Sequence, residues 1–294
     1  MMLSPISSPY LSPFDQDHFP DTFSSQPHKD IPGKKACKKS LASEIKQLDE
    51  LQRRLYAEDR RSLLLIFQAM DAAGKDSTIR AVMRGVDPSG CQVFAFKQPS
   101  KEELDHDFLW RTTRRLPERG RIGIFNRSYY EETLVVRVHP EYLNSQRIAI
   151  PDNLDDLWHQ RFEAIRQHER HLAENGTVII KFWLNVSAEE QRRRFLSRLN
   201  EPEKHWKFSA GDVEERQHWR QYMHAYRETL AATSRPWAPW YAIPADNKPF
   251  MRWQVAKLVR KTLERMDPHY PQVDKAAKTR FAEMRQRLTR KTDK

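Results

Sequence analysis

Residues 63–80, LLLIFQAMDAAGKDSTIR, constrain the fold of this chain more than any other stretch. Residues 63–67 are an unbroken apolar run of strand length, bounded by a short turn. The turn carries Asp71, Ala73, Gly74 and Lys75, and Asp76, Ser77 and Thr78 then open a segment of helical character ending near Arg84. Strand, Gly-Lys turn and helix together form a phosphate-binding arrangement. The helix N-terminus offers unpaired N–H groups and partial positive charge, Gly74 lets backbone approach an anion closely, and Lys75 adds a full charge. The match to G-x-x-x-x-G-K-[ST] is incomplete, because Ala69 stands where the first glycine belongs and Asp76 where Ser or Thr belongs. A metal-facing oxygen must then come from Asp71, or from Ser77 or Thr78 just after the turn. The plainer alternative is a solvated turn between a buried strand and a surface helix.

The rest of the chain repeats the alternation. A helix with Leu41, Ile45, Leu48, Leu51 and Leu55 on one face precedes the loop unit over 35–59. Strands are expected at 92–96, 122–125, 177–184 and 240–243. Ser100 with Glu103 predicts a capping box and a helix running towards Leu116; Ser128 with Glu131 and Ser187 with Glu190 repeat the signature. Longer helices are expected at 152–175, closed by Gly176, at about 212–233, and at 250–266. Strands alternating with helices give an α/β fold: a P-loop kinase-like parallel five-stranded sheet flanked by helices, with a helical lid at about 190–235. The catalytic domain spans 35–266. Residues 1–34, rich in Ser, Pro and His, precede it as an irregular segment that wraps the surface or moves, and 267–294 follow as a basic tail.

In open parallel sheets ligands sit beyond the carboxyl ends of the strands. That rule gathers the Asp71 to Thr78 turn, Lys97, Asn126 to Ser128, Asn185 and Asp246 to Lys248 along one edge. Phosphoryl transfer asks a protein for positioning and charge compensation. Lys75 and the loop amides suit the phosphates, Asp71 suits Mg²⁺, and Arg127, directly after the third strand, suits the moving phosphoryl group. Arg127 could instead be an ion pair fastening strand to helix. In QRRRFLSRLNEPEKHWKF (191–208), the densest basic stretch, spacing by four puts Arg194 and Arg198 on one helix face, able to approach one phosphate together. Pairing with Glu190, Glu201 and Glu203 as a solvated surface is the ordinary reading of such a run. Trp206, Trp219, Trp237 and Trp240 could offer a base a stacking partner, but such residues are commonly packing. The His168/His171 and His218/His224 pairs lack a third ligand and read as structural.

A net charge of +11 over 294 residues calls for a polyanionic partner, and nucleic acid, anionic membrane and phosphate polymer satisfy it equally. The two signs are interleaved, as on a solvated globular surface. Cys37 and Cys91, the two cysteines, make neither a disulfide framework nor a metal cluster, which fits a reducing cytoplasm. No apolar run approaches the roughly 18 residues of a membrane span.

Four motifs in this order and spacing, AMDAAGKDSTIR, FAFKQPS, IGIFNRSYYEETLVVRVHPE and RRRFLSRLNEPEKHWKFS, resemble the polyphosphate kinase 2 family over roughly residues 35–266. The resemblance implies a P-loop kinase fold with a helical lid, Mg²⁺ dependence, a homo-oligomer (dimer or tetramer), and reversible phosphoryl transfer between inorganic polyphosphate and nucleotides (AMP, ADP, ATP and, by extension, guanine nucleotides). It places Asp71, Lys75 and Arg127 in the catalytic motifs, with Arg194 or Arg198 as the lid arginine, and Arg137 and Lys207 among the phosphate-binding groups. Asn126 stands where the family often has Asp, and an amide lacks the charge a metal prefers. Asp76 and Asn126 together resemble the branch that accepts nucleoside monophosphates as well as diphosphates. A linear phosphate polymer also gives the positive balance a partner: the Arg111, Arg114, Arg115, Arg119 and Arg121 group, or the lid, would line its groove. Two other functions fit the composition, an ATP-dependent P-loop nucleotide kinase and a non-catalytic nucleic-acid binder.

Overall fold

Strand β1 (Ser62–Gln68) is buried at every residue because it lies in the middle of the sheet, hydrogen-bonded on both edges and covered on both faces. The computed structural model describes residues 2–15, 23–28 and 30–289. Five strands pair in the order β2-β3-β1-β4-β5, with β2 (Cys91–Ala95), β3 (Ile122–Asn126), β4 (Thr177–Asn185) and β5 (Trp240–Pro244). All four pairings are parallel, with Leu65 opposite Ile124 on one side and Ile180 on the other. Parallel strands need crossovers, and helices supply them on both faces.

In chain order the helices are α1 (Lys34–Glu58), α2 (Lys75–Val82), α3 (Lys101–Leu104), α4 (Trp110–Thr113), α5 (Val135–Val138), α6 (Leu154–Glu174) and α7 (Ala188–Asn200), then α8 (Ala210–Glu214), α9 (Trp219–Thr233), α10 (Lys248–Met266) and α11 (Lys275–Thr289). Helix α1 packs along α10, burying Leu48 and Leu55. Helix α11 buries no residue.

Three expected helices are interrupted. The Ser100–Glu103 capping box forms, with the Ser100 hydroxyl accepting from the Glu103 amide and the Glu103 carboxylate from the Ser100 amide. The helix nevertheless stops after one turn, and the Asp107 carboxylate accepts from the Leu109 amide (2.9 Å) to start α4 afresh. After Ser128 comes a 3-10 turn (Tyr129–Glu132) before α5. The expected 212–233 helix breaks at a 3-10 turn (Glu215–His218), where tertiary bonds win: Glu215 meets His139 (3.0 Å) and Tyr222 (2.8 Å), and Arg216 donates to the Ala188 carbonyl (3.1 Å).

The exposed edge of β5 is covered by the N-terminal segment. The Ala242 amide donates to the Tyr10 carbonyl (2.8 Å), the Ser12 amide to the Trp240 carbonyl (2.9 Å), and the Tyr241 hydroxyl bonds Ile6. Such a cover removes an unpaired strand edge. Among the described residues no helix is long and apolar enough to cross a membrane, and Cys37 and Cys91 are unpaired thiols.

Candidate active site

The turn after β1 is shaped by residues in left-handed backbone, Ala72 (φ 61°) and Gly74 (φ 108°). A Cβ on Gly74 would also sit 3.4 Å from the Ser77 hydroxyl and 3.6 Å from Met251, so glycine suits both the angle and the space. The first intrahelical bond of α2 runs from Thr78 to the Gly74 carbonyl (2.9 Å). The amides of Lys75, Asp76 and Ser77 are therefore first-turn donors without an intrahelical acceptor.

Donors from beneath hold the loop carbonyls. Gln191 of α7 donates to the Asp71 carbonyl (2.9 Å), and Lys75 to that of Ala69 (2.7 Å). Arg194, buried at 6% exposure, donates to the carbonyls of Ala72 (3.1 Å), Ala73 (2.5 Å) and Ala245 (2.5 Å) and pairs with Glu190 (2.7 Å). Because C=O and N–H of one peptide point oppositely, pinning the Ala73 carbonyl from below turns the Gly74 amide to the other side.

Arg127 follows β3 in left-handed backbone (φ 65°), its amide donating to the Phe67 carbonyl (3.0 Å). Its guanidinium meets Asp71 (2.9 Å) and Glu131 (3.4 Å). The next residues anchor this corner to the core. Tyr129 and Tyr130 both donate to Glu169 (2.8 Å), which pairs with the wholly buried Lys181 (2.6 Å).

Charge sets the protonation states. Burial works to raise the Asp71 carboxyl, but Lys75 and Arg127 outweigh it and hold it below the usual value. Burial pushes Lys75 down, with Asp71, 4.0 Å away, opposing. Glu131, and behind it Asp71, raises Arg127 despite burial. Asp212 is raised by burial and by Asp71.

Two clefts meet at Arg127 and Glu131. One, of about 250 Å³, is lined by Asp71, Arg127, Glu131, Gln191, Asp212 and Tyr226 among others. The second, of about 220 Å³, runs past Lys97, Arg111, Arg127, Glu131 and Tyr142.

The structure thus brings together Asp71, Lys75 and Arg127 with Ala73, Gly74, Asp76, Ser77 and Thr78. Ser77 turns its hydroxyl to the Gly74 carbonyl (3.0 Å), and Thr78 is buried against Met251. Asn126 donates to the Asp76 carboxylate (2.7 Å), so the amide at the position where the family often has Asp avoids setting two carboxylates together. Lys97 is exposed on the wall of the second cleft.

Arg194 and Arg198 are separated. Arg194 turns under the loop, while Arg198 pairs with Asp212 (3.1 Å) and stacks on Phe195. Arg137 lies apart from both clefts, paired with Glu228 of α9 and set against Trp158 and Phe162. Lys207 ends a 3-10 turn (Pro202–Lys207), and its side chain lies outside the described residues. Sequence reasoning missed Gln191, Asp212, Glu215, Tyr222 and Tyr226, and took Glu131 only for a helix cap.

Among the described residues no group of three or more His, Cys, Asp or Glu could hold a metal alone. Asp71 and Asp212 on one cleft wall still match a hard cation that takes one or two carboxylates and completes its shell with water and phosphate oxygens.

Residues 32–271 match the family model described as polyphosphate kinase 2 (PPK2). The chain is 54% identical over 249 residues to the ADP-polyphosphate phosphotransferase of Rhodopseudomonas palustris, covering 84% of this chain and 86% of that one. It is 44% identical over 245 residues to the AMP/ADP-polyphosphate phosphotransferase of Meiothermus ruber, covering 83% and 88%. The crystal structure of a polyphosphate kinase 2 from Arthrobacter aurescens superposes with a TM-score of 0.81 at 35% identity, over 96% of this chain and 100% of that one.

Proposed function

The chain belongs to the polyphosphate kinase 2 family, and from that premise we propose that it transfers phosphoryl groups reversibly between inorganic polyphosphate and nucleotides, converting AMP to ADP and ADP to ATP. The observation that carries this reading is the meeting of two clefts at Arg127, one edged by the phosphate loop. A donor chain held by the loop amides and Lys75 has its terminal phosphoryl group beside Arg127, and an acceptor reaches it from the other cleft. Arg127, fixed by Asp71 and Glu131 before substrate arrives, meets the developing charge without reorganisation.

Magnesium is part of the proposal. Asp71 and Asp212 would hold it, and bound there it would shield and orient the phosphate oxygens. Helices α7 to α9 act as the lid, with Arg198, paired with Asp212 of the loop cleft, as the lid arginine and Arg194 positioning the loop. The reading also includes a homo-oligomer, a cytoplasmic location, and guanine nucleotides beside adenine ones.

The test is incubation with polyphosphate, Mg²⁺ and AMP or ADP and no other phosphoryl donor. Formation of ADP or ATP is expected. Turnover that requires ATP as donor would support an ordinary nucleotide kinase instead. Retention on DNA or RNA that survives Lys75→Ala, without turnover, would support a nucleic-acid binder.

A further inference from the structure

Helix α10 carries the chain away from the site. It starts at Lys248, just past the carboxyl end of β5, and its 19 residues, at about 1.5 Å each, span about 28 Å to Met266. After residues 267–274 the basic tail folds as α11, which buries no residue and lies beyond the stretch that matches the family model, 32–271. Its side chains are nevertheless sorted by type around the axis. At about 100° per residue, Ala277, Phe281, Met284 and Leu288 share one narrow stripe. Phe281 is 58% exposed and Leu288 87%. Lys278 and Arg285 border the stripe on one side, Arg280 and Arg287 border it on the other, and Glu283, the one carboxylate of the helix, stands on the far side.

Those borders decide what can cover the stripe. A second copy of α11 packed stripe to stripe would set Lys278, Arg280, Arg285 and Arg287 against the same four cations, with no carboxylate on either border to answer them, and like charges across an interface repel. A phosphate polymer or a nucleic acid would take the cations and leave Phe281 and Leu288 in water. An anionic bilayer meets both demands: the acyl boundary takes the stripe, and lipid phosphates on either side take the lysine and the arginines. Long basic side chains suit that position, since their stems lie along apolar carbon while their heads reach the headgroups. Among the described residues no helix is long and apolar enough to cross a membrane, so α11 would lie in the surface without spanning it.

We propose that α11 lies in the headgroup layer of an anionic bilayer and holds the enzyme on that surface. The test is co-sedimentation of the full-length protein with vesicles of phosphatidylcholine, alone or with about one-third phosphatidylglycerol, in about 0.15 M salt and without polyphosphate. The protein should pellet with the anionic vesicles and stay in solution with the neutral ones. Phe281→Ser combined with Leu288→Ser should weaken that binding at least about ten-fold, from the apolar area withdrawn, whereas Phe281→Leu should keep most of it. Arg280→Gln combined with Arg285→Gln should weaken it about 20–30-fold, at about five-fold per charge. Because α11 buries no residue, both double variants fold, and their turnover in solution should stay within about two-fold of wild type. Equal recovery with neutral and anionic vesicles, or recovery with neither, overturns the proposal. So does anionic binding that the Phe281→Ser, Leu288→Ser protein retains in full, which would assign it to the charged globular surface. A smaller assembly of that protein in sedimentation velocity would give the stripe to a second copy, and a raised KM for polyphosphate in the arginine variant would give the cations to the substrate; either result overturns the proposal too.

Discussion

Arg194→Ala should destabilise the whole domain, and the size of the effect follows from what the guanidinium touches. It is 6% exposed and satisfies the carbonyls of Ala72, Ala73 and Ala245 while pairing with Glu190. Truncation leaves buried carbonyls unsatisfied at about 1–3 kcal/mol each, and breaking a buried ion pair costs about 3–5 kcal/mol. These terms overlap, so we expect a net loss of about 3–5 kcal/mol. At roughly 2–4 °C per kcal/mol, the melting midpoint should fall by about 6–20 °C. Arg194→Lys should recover only part, because a point charge cannot span the Ala73 and Ala245 carbonyls as a planar fork does. Scanning calorimetry supplies the midpoint, and the polyphosphate-to-ADP assay supplies turnover, which should fall as the loop loosens. Saturating polyphosphate should restore part of the lost midpoint, since a ligand of the folded state stabilises it. An Arg194→Ala protein that melts with wild type yet transfers nothing would refute the clamp, and would mean that this arginine contacts phosphate directly.

Lys75→Ala should lower kcat by roughly 10²–10³, the usual loss for one preorganised electrostatic donor. Its melting midpoint should fall less than that of Arg194→Ala, because one carbonyl, that of Ala69, loses its donor and burial penalises the Lys75 charge that is removed. Gly74→Ala forces a Cβ into φ 108° at about 1–2 kcal/mol or more, so steady-state kinetics should show a raised KM for polyphosphate. Asn126→Asp sets a carboxylate where the amide now donates to Asp76 at 2.7 Å. Such a pair takes up a proton on folding, so its stability is lost as pH rises; the variant should melt close to wild type near pH 5 and clearly lower near pH 8. Lys248 is pushed down to about 8 by burial, Arg194 and Arg252. Between that value and the ordinary lysine value of about 10.4, the folded protein has released a proton the unfolded chain keeps. Stability should therefore rise with pH across this window, and Lys248→Met should flatten the rise in midpoint-against-pH scans.

The strands were legible because their signal is local: the apolar run of β1 and the turn after it state a strand, while its place in the middle of the sheet is set by pairings with β3 and β4. What sequence missed was decided across distance. Ser100 and Glu103 form their capping box, yet a good cap starts a helix without sustaining one, and this one closes at Asp105, whose amide bonds the Lys101 and Glu102 carbonyls. Spacing by four puts Arg194 and Arg198 on one flank of α7, yet their guanidinium groups part to different partners instead of sharing one phosphate-sized site. It says nothing of what each end of that flank faces, and the structure sets loop carbonyls under one and Asp212 beside the other. Arg137, in a motif rich in site residues, is paired with Glu228 because α5 packs on α9, a contact about 90 residues apart in sequence that no local pattern encodes. Asp212 carried no role in the sequence reading, and only the folding of α8 back over the loop gives it Asp71 and Arg198 as neighbours.

That neighbourhood explains why a site proposed to bind a polyanion carries so many carboxylates. Asp71, Glu131 and Asp212 stand among Lys75, Arg127 and Arg198, and alone they would repel a phosphate chain. They do two things that a purely basic groove could not. Before substrate binds they hold the cations in place, so no ordering of long side chains is left for the reacting complex. Once phosphate arrives it can take over the Arg127 and Arg198 donors, leaving Asp71 and Asp212 with unmet charge on the same wall. A divalent cation between carboxylate and phosphate is the arrangement that satisfies both at once, and this is the physical ground for the magnesium we propose.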